Sequence, residues 1–279
     1  MTHIGLMDRN PNSHTKNTVI FCPVTVVECP PLKIMAVRFY KHDDNNRLHP
    51  LSDLFSKNID KEIARKVELS KTPKTKEAKI EDIKDVKIIA YTQPKLTGIG
   101  KKKPEIIELA IGGDDIKVKV DYAKSLLDKE LKVSDIFQEG QEIDVHAVTK
   151  GKGYQGPVKR FGVKIRSHKA EKTKRGPGSL GPWCGQGHIM YRVAHAGKMG
   201  FHTRTEYNKW LLKTSNNPQE INPKGGFLHY GIVKNDYVLV KGSVPGPSKR
   251  LIEFTEPLRS KIKQALKPEI SYISTQSKQ

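Results

Sequence analysis

The chain has 279 residues, with 50 Lys or Arg against 30 Asp or Glu, so its formal net charge is +20. No apolar run approaches the ~18–20 residues that a membrane helix needs, and three cysteines are too few for a disulfide framework. The first residues show no secretion-signal pattern, so we expect a cytoplasmic protein. Its charge favours a polyanionic partner, meaning nucleic acid or an anionic membrane. Of these we expect nucleic acid, with no membrane partner and no small-molecule substrate.

The N-terminal part is predicted to be rich in strands. Val19–Glu28 and Leu32–Lys41 are apolar and β-branched, and Pro30 and Pro31 break the chain between them. Pro23 lies inside the first run, which predicts an edge strand or a bulge because proline donates no ladder hydrogen bond.

The next segment is predicted to be an α+β unit. Its first part has apolar residues about every four positions, which predicts a helix: Leu51, Leu54, Phe55, Ile59, Ile63 and Val67. Val86–Thr92 and Glu105–Ile111 read as strands on either side of a basic loop, Lys95–Lys103. Tyr122, Leu126 and Leu127 predict a second, short helix.

Strands are predicted again near the end of the chain, and they suggest a β-barrel formed by both chain ends. These runs are Ile143–Thr149, Phe227–Val233, Tyr237–Lys241 and Arg250–Thr255. The predicted fold class is therefore mainly β with an α+β insertion and a long, irregular basic extension. The polar tail after Pro257 is expected to lie over a surface. The predicted segments are 1–50 (barrel), 51–139 (α+β insertion), 140–150 (barrel strand), 151–210 (basic extension) and 211–279 (barrel and tail).

Positive charge is concentrated in one stretch of the chain. Residues 149–210 hold 14 Lys or Arg and 2 Asp or Glu, together with 11 of the 22 glycines and both tryptophans. Each cation can neutralise a phosphate and release counterions. A solvated basic loop is the plain alternative, but interleaved aromatic residues argue against it because they can stack on bases: Tyr154, Phe161, Trp183, Phe201 and Tyr207.

Gly151, Gly153 and Gly156 form a G-x-G-x-x-G motif after a predicted strand, and Glu171 follows 20 residues after the first glycine. A dinucleotide fingerprint also needs a helix after the glycines. Instead, Val158–Arg166 alternates apolar and basic residues, which predicts a strand. The motif therefore favours close backbone approach to a polyanion, which glycine permits without a Cβ clash.

Other chemistry is weakly supported by the sequence. Cys184, His188, His195 and His202 match no compact zinc pattern, so we expect no metal and no other cofactor. No paired carboxylates lie near the basic stretch, so nothing indicates catalysis. Thr203-x-x-Glu206 reads as a capping box that opens a helix ending near Lys213, and Trp210 would pack that helix onto the barrel.

Several motifs together resemble one family along nearly the whole chain. They are Val24–Tyr40 (VTVVECPPLKIMAVRFY), Gly178–Trp183 (GSLGPW), Gly197–Trp210 (GKMGFHTRTEYNKW) and Tyr237–Arg250 (YVLVKGSVPGPSKR). The family is the universal large-subunit ribosomal protein L three, in its archaeal form. This resemblance implies a structural, non-enzymatic protein with a six-stranded translation-protein barrel, which binds large-subunit rRNA near its 3′ end and neighbouring large-subunit proteins, and acts early in assembly.

The resemblance also implies roles for parts of the extension. Gly151–Gly162 and His202–Asn208 match its two stems, and Trp183 matches the tip that approaches the peptidyl transferase centre. The sequence departs from the family in two places. It begins at the Met1-Thr2-His3 motif, without the basic arm that usually precedes it, and Cys184 to His188 replace the Pro and Arg expected after the tip tryptophan.

The predicted rRNA contacts are the following residues: Lys150, Lys152, Gly153, Gly156, Lys159, Arg160, Lys164, Arg166, His168, Lys169, Lys172, Lys174, Arg175, Trp183, Arg192, Lys198, His202, Arg204, Lys241, Lys249 and Arg250. Gly151, Gly176 and Gly178 are expected to permit close packing in RNA grooves. Two alternatives remain open at this point: a nucleotide-dependent enzyme that uses the glycine motif, and an RNA chaperone or translation factor that exchanges on and off ribosomes.

Overall fold

A computed structural model describes residues 1–9, 12–68, 83–182, 187–260 and 267–277. The protein is mainly β, and the strand pairings among these residues are antiparallel. The chain divides into two compact units. Unit 1 comprises residues 1–142, 209–243 and 260–279, and unit 2 comprises residues 143–208 and 244–259. The finer division into five segments stays a prediction.

The strands and helices have the following bounds in chain order. The strands are β1 Thr2–Met7, β2 Val19–Glu28, β3 Leu32–His42, β4 Leu48–Phe55, β5 Asp85–Tyr91, β6 Ile106–Ala110, β7 Glu130–Leu131, β8 Glu142–Val148, β9 Tyr154–Gln155, β10 Gly197–Lys198, β11 Thr203–Ser215, β12 Tyr237–Lys241, β13 Glu253–Thr255 and β14 Ile270–Ile273. The helices are α1 Ile116–Leu126 and α2 Pro157–Phe161. No helix in the described ranges has the length and apolar composition that crossing a bilayer requires.

In unit 1, β2 lies between β1 and β12. On the outer side of β1 lies β14, and on the outer side of β12 lies the end of β11. Alternate side chains on these strands enter one apolar core, which buries Ile4, Val24, Leu212, Tyr237 and Leu239. Burial of this kind contributes about 25 cal/mol per Å² of apolar surface, so the core stabilises unit 1 strongly.

A second sheet in unit 1 has the order β4-β3-β5-β6, and β7 also pairs with β3. Its side chains bury Val37, Phe39 and Val86 against α1, which contributes Val120 and Ala123. The α1 helix begins after Asp115, whose carboxylate accepts a hydrogen bond from the backbone N–H of Lys117. Such a cap satisfies one of the free donors at the helix start.

Most of the predicted strands are confirmed. The predictions for Val19–Glu28, Leu32–Lys41, Val86–Thr92, Glu105–Ile111, Ile143–Thr149 and Tyr237–Lys241 correspond to β2, β3, β5, β6, β8 and β12, and α1 confirms the short helix. Only the last three residues of Arg250–Thr255 form a strand, β13. The strands with long apolar runs were predicted correctly, because a strand buried on one or both faces of its sheet needs apolar side chains.

The prediction of a helix from Leu51 to Val67 is wrong. Leu48–Phe55 forms β4, and only Lys61–Arg65 makes a short 3-10 turn. Pairing with β3 decides this conformation, because Arg38 and Asp53 face each other across the strands. Arg38 donates to both carboxylate oxygens of Asp53, at 2.7 and 2.8 Å, which a local helix could not provide.

The prediction of a capped helix from Thr203 to Lys213 is also wrong. This segment is β11, whose residues from Leu211 onward pair with β12. The Trp210 indole N–H donates to the Gly140 carbonyl at 2.7 Å, and Leu211 is fully buried. Sheet pairing and burial therefore override the local capping signal, as tertiary context does for many weak helix patterns.

Two expectations for the chain ends need correction, and a third, the six-stranded barrel, stays a prediction. Phe227–Val233 is not a strand but a tight turn, in which the Phe227 N–H donates to the Gly231 carbonyl at 2.8 Å. The tail does not only cover a surface, because Ile270–Ile273 adds β14 to the edge of β1. The pairings recorded between described strands do not close into a ring, so the six-stranded barrel is not seen there.

Pro23 lies on a strand with neighbours on both sides, so the edge-strand prediction is wrong. Its carbonyl accepts from the Gly242 N–H at 2.8 Å, directly after β12 ends at Lys241. The N–H and carbonyl of one strand residue point to the same side. Pro23 has no N–H to donate toward β12, but β12 ends beside it, so the missing donor falls where the strand pairing stops.

Glu28 at the end of β2 holds the turn that precedes β12. One of its carboxylate oxygens accepts from the Lys234 N–H at 2.9 Å, the Asn235 N–H at 3.0 Å and the Asn235 side-chain amide at 2.7 Å. The other oxygen accepts from the Tyr230 hydroxyl. Burial raises the pKa of the Tyr230 hydroxyl, and its hydrogen bond to the Glu28 carboxylate raises that pKa further. A single side chain therefore satisfies four donors.

We expect Glu28→Ala to lower the free energy of unfolding by about 3 kcal/mol, because it leaves partly buried donors without acceptors. Urea unfolding of the purified chain measures this change. Glu269→Ala is the control, since its ion pair with Arg9 has both side chains 55% exposed and is worth less than about 1 kcal/mol. Equal effects of the two substitutions would contradict the role given to Glu28.

Candidate nucleic-acid interface

The base of the basic extension is held by polar side chains of β8 within unit 2. Asp144 is buried, and its carboxylate accepts from the backbone N–H groups of Asn208 at 2.8 Å and Leu258 at 3.0 Å. His146 hydrogen-bonds through both ring nitrogens, to Thr205 at 2.8 Å and Thr255 at 3.0 Å. These contacts join the returning end of the extension, at Thr205 and Asn208, and the β13 segment, at Thr255 and Leu258, to β8. They also leave the buried carboxylate of Asp144 paired, as buried polar groups require.

Two stems of the extension run side by side beyond this base. The Thr149 N–H donates to the His202 carbonyl at 2.9 Å, and the Lys152 N–H donates to the Met199 carbonyl at 2.9 Å. Further along, β9 pairs with β10. Nearer its far end, the Met190 N–H donates to the Leu180 carbonyl at 3.1 Å. Backbone hydrogen bonds thus join residues 149–155 to residues 197–202. The second stem that the resemblance implied, His202–Asn208, meets this pairing only at His202 and continues as β11.

Gly200 is the point of closest approach between the two stems. Its φ is +74°, and a Cβ there would clash with the Lys150 carbonyl oxygen and lie 3.0 Å from the Lys150 carbonyl carbon. Glycine adopts this φ without strain and has no Cβ to clash, so only glycine fits here at low cost. The sequence predicts a close approach of Gly151 to a polyanion, and this stays a prediction; between the stems, its missing Cβ would make an ordinary 3.4 Å contact with Phe201. The constraint therefore falls on the opposite stem.

The G-x-G-x-x-G motif is followed by a short helix, so the predicted strand over Val158–Arg166 is wrong. Gly156 precedes α2, Pro157 is its first residue, and Gly162 ends it with a φ of +72°. Proline suits a helix start, and glycine suits the left-handed position after a helix end. This five-residue helix does not restore the dinucleotide interpretation, because such a site needs a parallel βαβ unit and the pairings in the described ranges are antiparallel.

Arg160 on α2 reaches across to the second stem. Its guanidinium donates to the His195 carbonyl at 2.7 Å and lies 4.8 Å from the centre of the Phe161 ring. A Cβ at Gly197 would lie 2.9 Å from the same guanidinium. Arg160 therefore helps to join the stems, in addition to the phosphate contact that the sequence predicts for it.

The cations of the extension have no carboxylate partners among the described residues. This holds for every lysine and arginine from Lys150 to Arg204 and for Lys249 and Arg250. In unit 1, by contrast, lysines such as Lys33, Lys66 and Lys101 pair with Asp60 and Glu105. Uncompensated charge on one structural element is the electrostatic feature expected of a nucleic-acid interface.

Most residues predicted to contact RNA are placed in unit 2 and exposed. They are Lys150, Lys152, Gly153, Gly156, Lys159, Lys164, Arg166, His168, Lys169, Lys172, Lys174, Arg175, Arg192, Lys198, Arg204 and Lys249, while Arg160, His202 and Arg250 are half-buried. Lys241 belongs to unit 1, where its ammonium lies 5.5 Å from the Trp210 ring centre. Trp183 lies outside the described residues, as does Cys184.

The histidines do not form a metal site in the described part of the chain, where no group of three or more His, Cys, Asp or Glu side chains could hold an ion. His202 instead lies among cations. Partial desolvation and the nearby Lys198, Arg204 and Arg160 lower its pKa below the ordinary value. These surroundings favour the neutral imidazole of His202, whereas an anion near it would favour the protonated form.

The structure also adds residues that the sequence analysis did not single out. Tyr191 is 87% exposed, with the Arg192 guanidinium 5.5 Å from its ring centre. Arg259 lies 5.6 Å from the ring centre of Tyr207. Tyr191 could have been found from the same signal as the other aromatics of the basic stretch. Arg259 could not have been found in this way, because it lies far from Tyr207 in the sequence and approaches the tyrosine ring only in the folded chain.

We expect Gly200→Ala to disrupt stem pairing, because the methyl group must both adopt a left-handed φ and clash with Lys150. Gly153→Ala is the matched control: its φ is +69°, but no atom lies within 4 Å of the added Cβ. Gly153→Ala should therefore destabilise the fold by only about 1–2 kcal/mol, the backbone strain of a left-handed alanine. Hydrogen exchange at the Lys152 and Phe201 amides should accelerate much more in Gly200→Ala. Equal acceleration in both variants would show that the close approach is unimportant.

Known proteins resemble this chain along its whole length. The profile of the family described as "Ribosomal protein L3" matches residues 1–279. Three relatives, each named "Large ribosomal subunit protein uL3", come from Methanocaldococcus jannaschii, Methanosphaera stadtmanae and Methanococcoides burtonii, and they are 46%, 47% and 41% identical. The matches cover 100% of this chain and 85%, 86% and 86% of the relatives. The chain therefore belongs to the ribosomal protein L3 family, whose members are structural, non-enzymatic constituents of the large ribosomal subunit.

Proposed function

We propose that this protein binds large-subunit rRNA through the paired stems of its basic extension. One observation carries the proposal: the cations of the stems are exposed and lack carboxylate partners, although the backbone that presents them is hydrogen-bonded. Phosphate groups would supply the missing negative charge and release counterions. The ordered backbone separates this arrangement from a solvated, disordered basic loop.

The finer role follows from family membership together with this geometry. The extension would pass between rRNA segments towards the peptidyl transferase centre, with Trp183 at its tip, and the rest of the chain would bind near the rRNA 3′ end and act early in assembly. The pairing of Leu180 with Met190 supports a narrow far end, since the stems are still side by side there. The six-stranded barrel, and its packing against neighbouring large-subunit proteins, stay part of this proposal.

We expect Lys164→Ala to weaken binding of the purified chain to large-subunit rRNA and to reduce the slope of log K against log salt by about one unit. Lys164 is exposed and has no ion-pair partner in the described structure. Lys117→Ala on α1 is the matched control, because Lys117 is equally exposed and unpaired but lies in unit 1. Its slope should stay unchanged, and a similar loss in both variants would contradict a specific interface.

Sedimentation of salt-washed large subunits distinguishes a permanent constituent from the alternative, an RNA chaperone or factor that exchanges on and off ribosomes. We expect the chain to remain at stoichiometric level after a high-salt wash, because threaded contacts resist exchange. Trp183→Ala should also remain and should alter A-site function only. Loss of the wild-type chain in the wash would favour the exchanging factor, and failed assembly with Trp183→Ala would show that the tip assignment is wrong.

A further inference from the structure

Phe201 has an unusual conformation near the base of the extension. Its ring is 59% exposed, although it is a large apolar side chain, and its φ is +55°. A bulky residue with a left-handed φ is a genuine outlier, and such strain is found where the surrounding structure imposes it. Gly200 before it is also left-handed, so the chain makes two consecutive left-handed steps that turn the ring outward.

Hydrogen bonds on both sides keep this turn in place. The Met199 N–H donates to the Gly153 carbonyl at 2.9 Å, ahead of the turn. After it, the Phe201 N–H donates to the Thr149 carbonyl at 3.2 Å, and the His202 N–H donates to the Thr149 hydroxyl at 3.2 Å. The ring position therefore does not depend on burial of the ring itself, which is the usual reason for an aromatic residue to be ordered.

Two cations from separate parts of unit 2 lie over the Phe201 ring. The Lys198 ammonium is 5.9 Å and the Arg250 guanidinium 5.7 Å from the ring centre. Both distances are near the ~6 Å limit of a cation–π contact, so these contacts are weak. Arg250 is held by a hydrogen bond to the Val148 carbonyl at 3.2 Å, and neither cation has a carboxylate partner in the described structure.

We propose that Phe201 is a stacking platform for one unpaired RNA nucleotide, with Lys198 and Arg250 contacting the phosphates beside it. This inference rests on the proposed rRNA binding and adds the class of ligand that this site takes. An exposed ring offers a flat apolar face that a nucleobase covers favourably. Neither cation has a carboxylate partner in the described structure, so each can turn from over the ring to phosphate oxygens with the loss of only a weak cation–π contact.

An unpaired nucleotide fits this site better than a regular RNA helix. Bases in A-form duplex are stacked on one another, and the deep, narrow major groove does not admit side chains, whereas bulged or looped bases are free to stack on aromatic rings. A phosphate contact alone would need only the cations, and it would not explain an exposed ring held in a strained conformation. The platform therefore predicts a contribution to binding that salt does not screen.

The test uses the purified full chain and deproteinised large-subunit rRNA over a range of monovalent salt concentrations. Phe201→Leu should bind about tenfold more weakly at every salt concentration, with an unchanged salt slope, because stacking is lost and no charge is removed. Phe201→Tyr keeps the ring and should bind like the wild type. Leucine, tyrosine and phenylalanine pay similar strain at this φ, so backbone effects are matched across the series.

Chemical probing of unpaired bases on the same rRNA locates the contact. The wild type and Phe201→Tyr should protect a nucleotide that becomes reactive with Phe201→Leu. Unchanged affinity and protection in Phe201→Leu, or an equal loss in Phe201→Tyr, would overturn the platform while leaving rRNA binding intact. Failure of the proposed function differs from both, because the wild-type chain would then show no salt-dependent binding and protect no base, and the platform would fall with it.

Discussion

Repulsion among the cations of the extension is the constraint on which the rest of this structure depends. Residues 149–210 hold 14 cations and 2 acids, and between Lys150 and Arg204 no cation finds a carboxylate among the described residues. Ion pairs therefore do not hold this segment together. Hydrogen bonds do so instead: backbone bonds between the two stems, and bonds from backbone N–H groups to the buried carboxylate of Asp144 at their base.

Unit 1 is stabilised in the more usual way. Its sheets bury apolar side chains on both sides of β12 and of β3, and several of its lysines pair with nearby carboxylates. Exposed pairs of this kind add little free energy each, but they compensate part of the local charge. In the extension, by contrast, no described cation between Lys150 and Arg204 has such a pair, and a polyanion can supply the missing negative charge.

Much of the fold could be predicted from local pattern, and the errors have one cause. The apolar runs that form β2, β3, β5 and β12 were recognised because each is continuous in the sequence. The errors at 51–67 and 203–213 came from helix-like spacing that sheet pairing overrides. β14 was missed because it is a short strand in a polar tail that pairs with β1, at the other end of the chain.

For the interface, the sequence alone determined its chemistry: how many cations it has, how few acids, and which glycines and aromatic residues accompany them. The family followed from the same motifs. Only the tertiary structure decided that Gly200 carries the close approach, that Arg160 joins the stems and that Phe201 faces outward beside Arg250. The physical reason is that each of these roles depends on atoms about 35 to 50 residues away in the chain, which are brought near only when the stems pair.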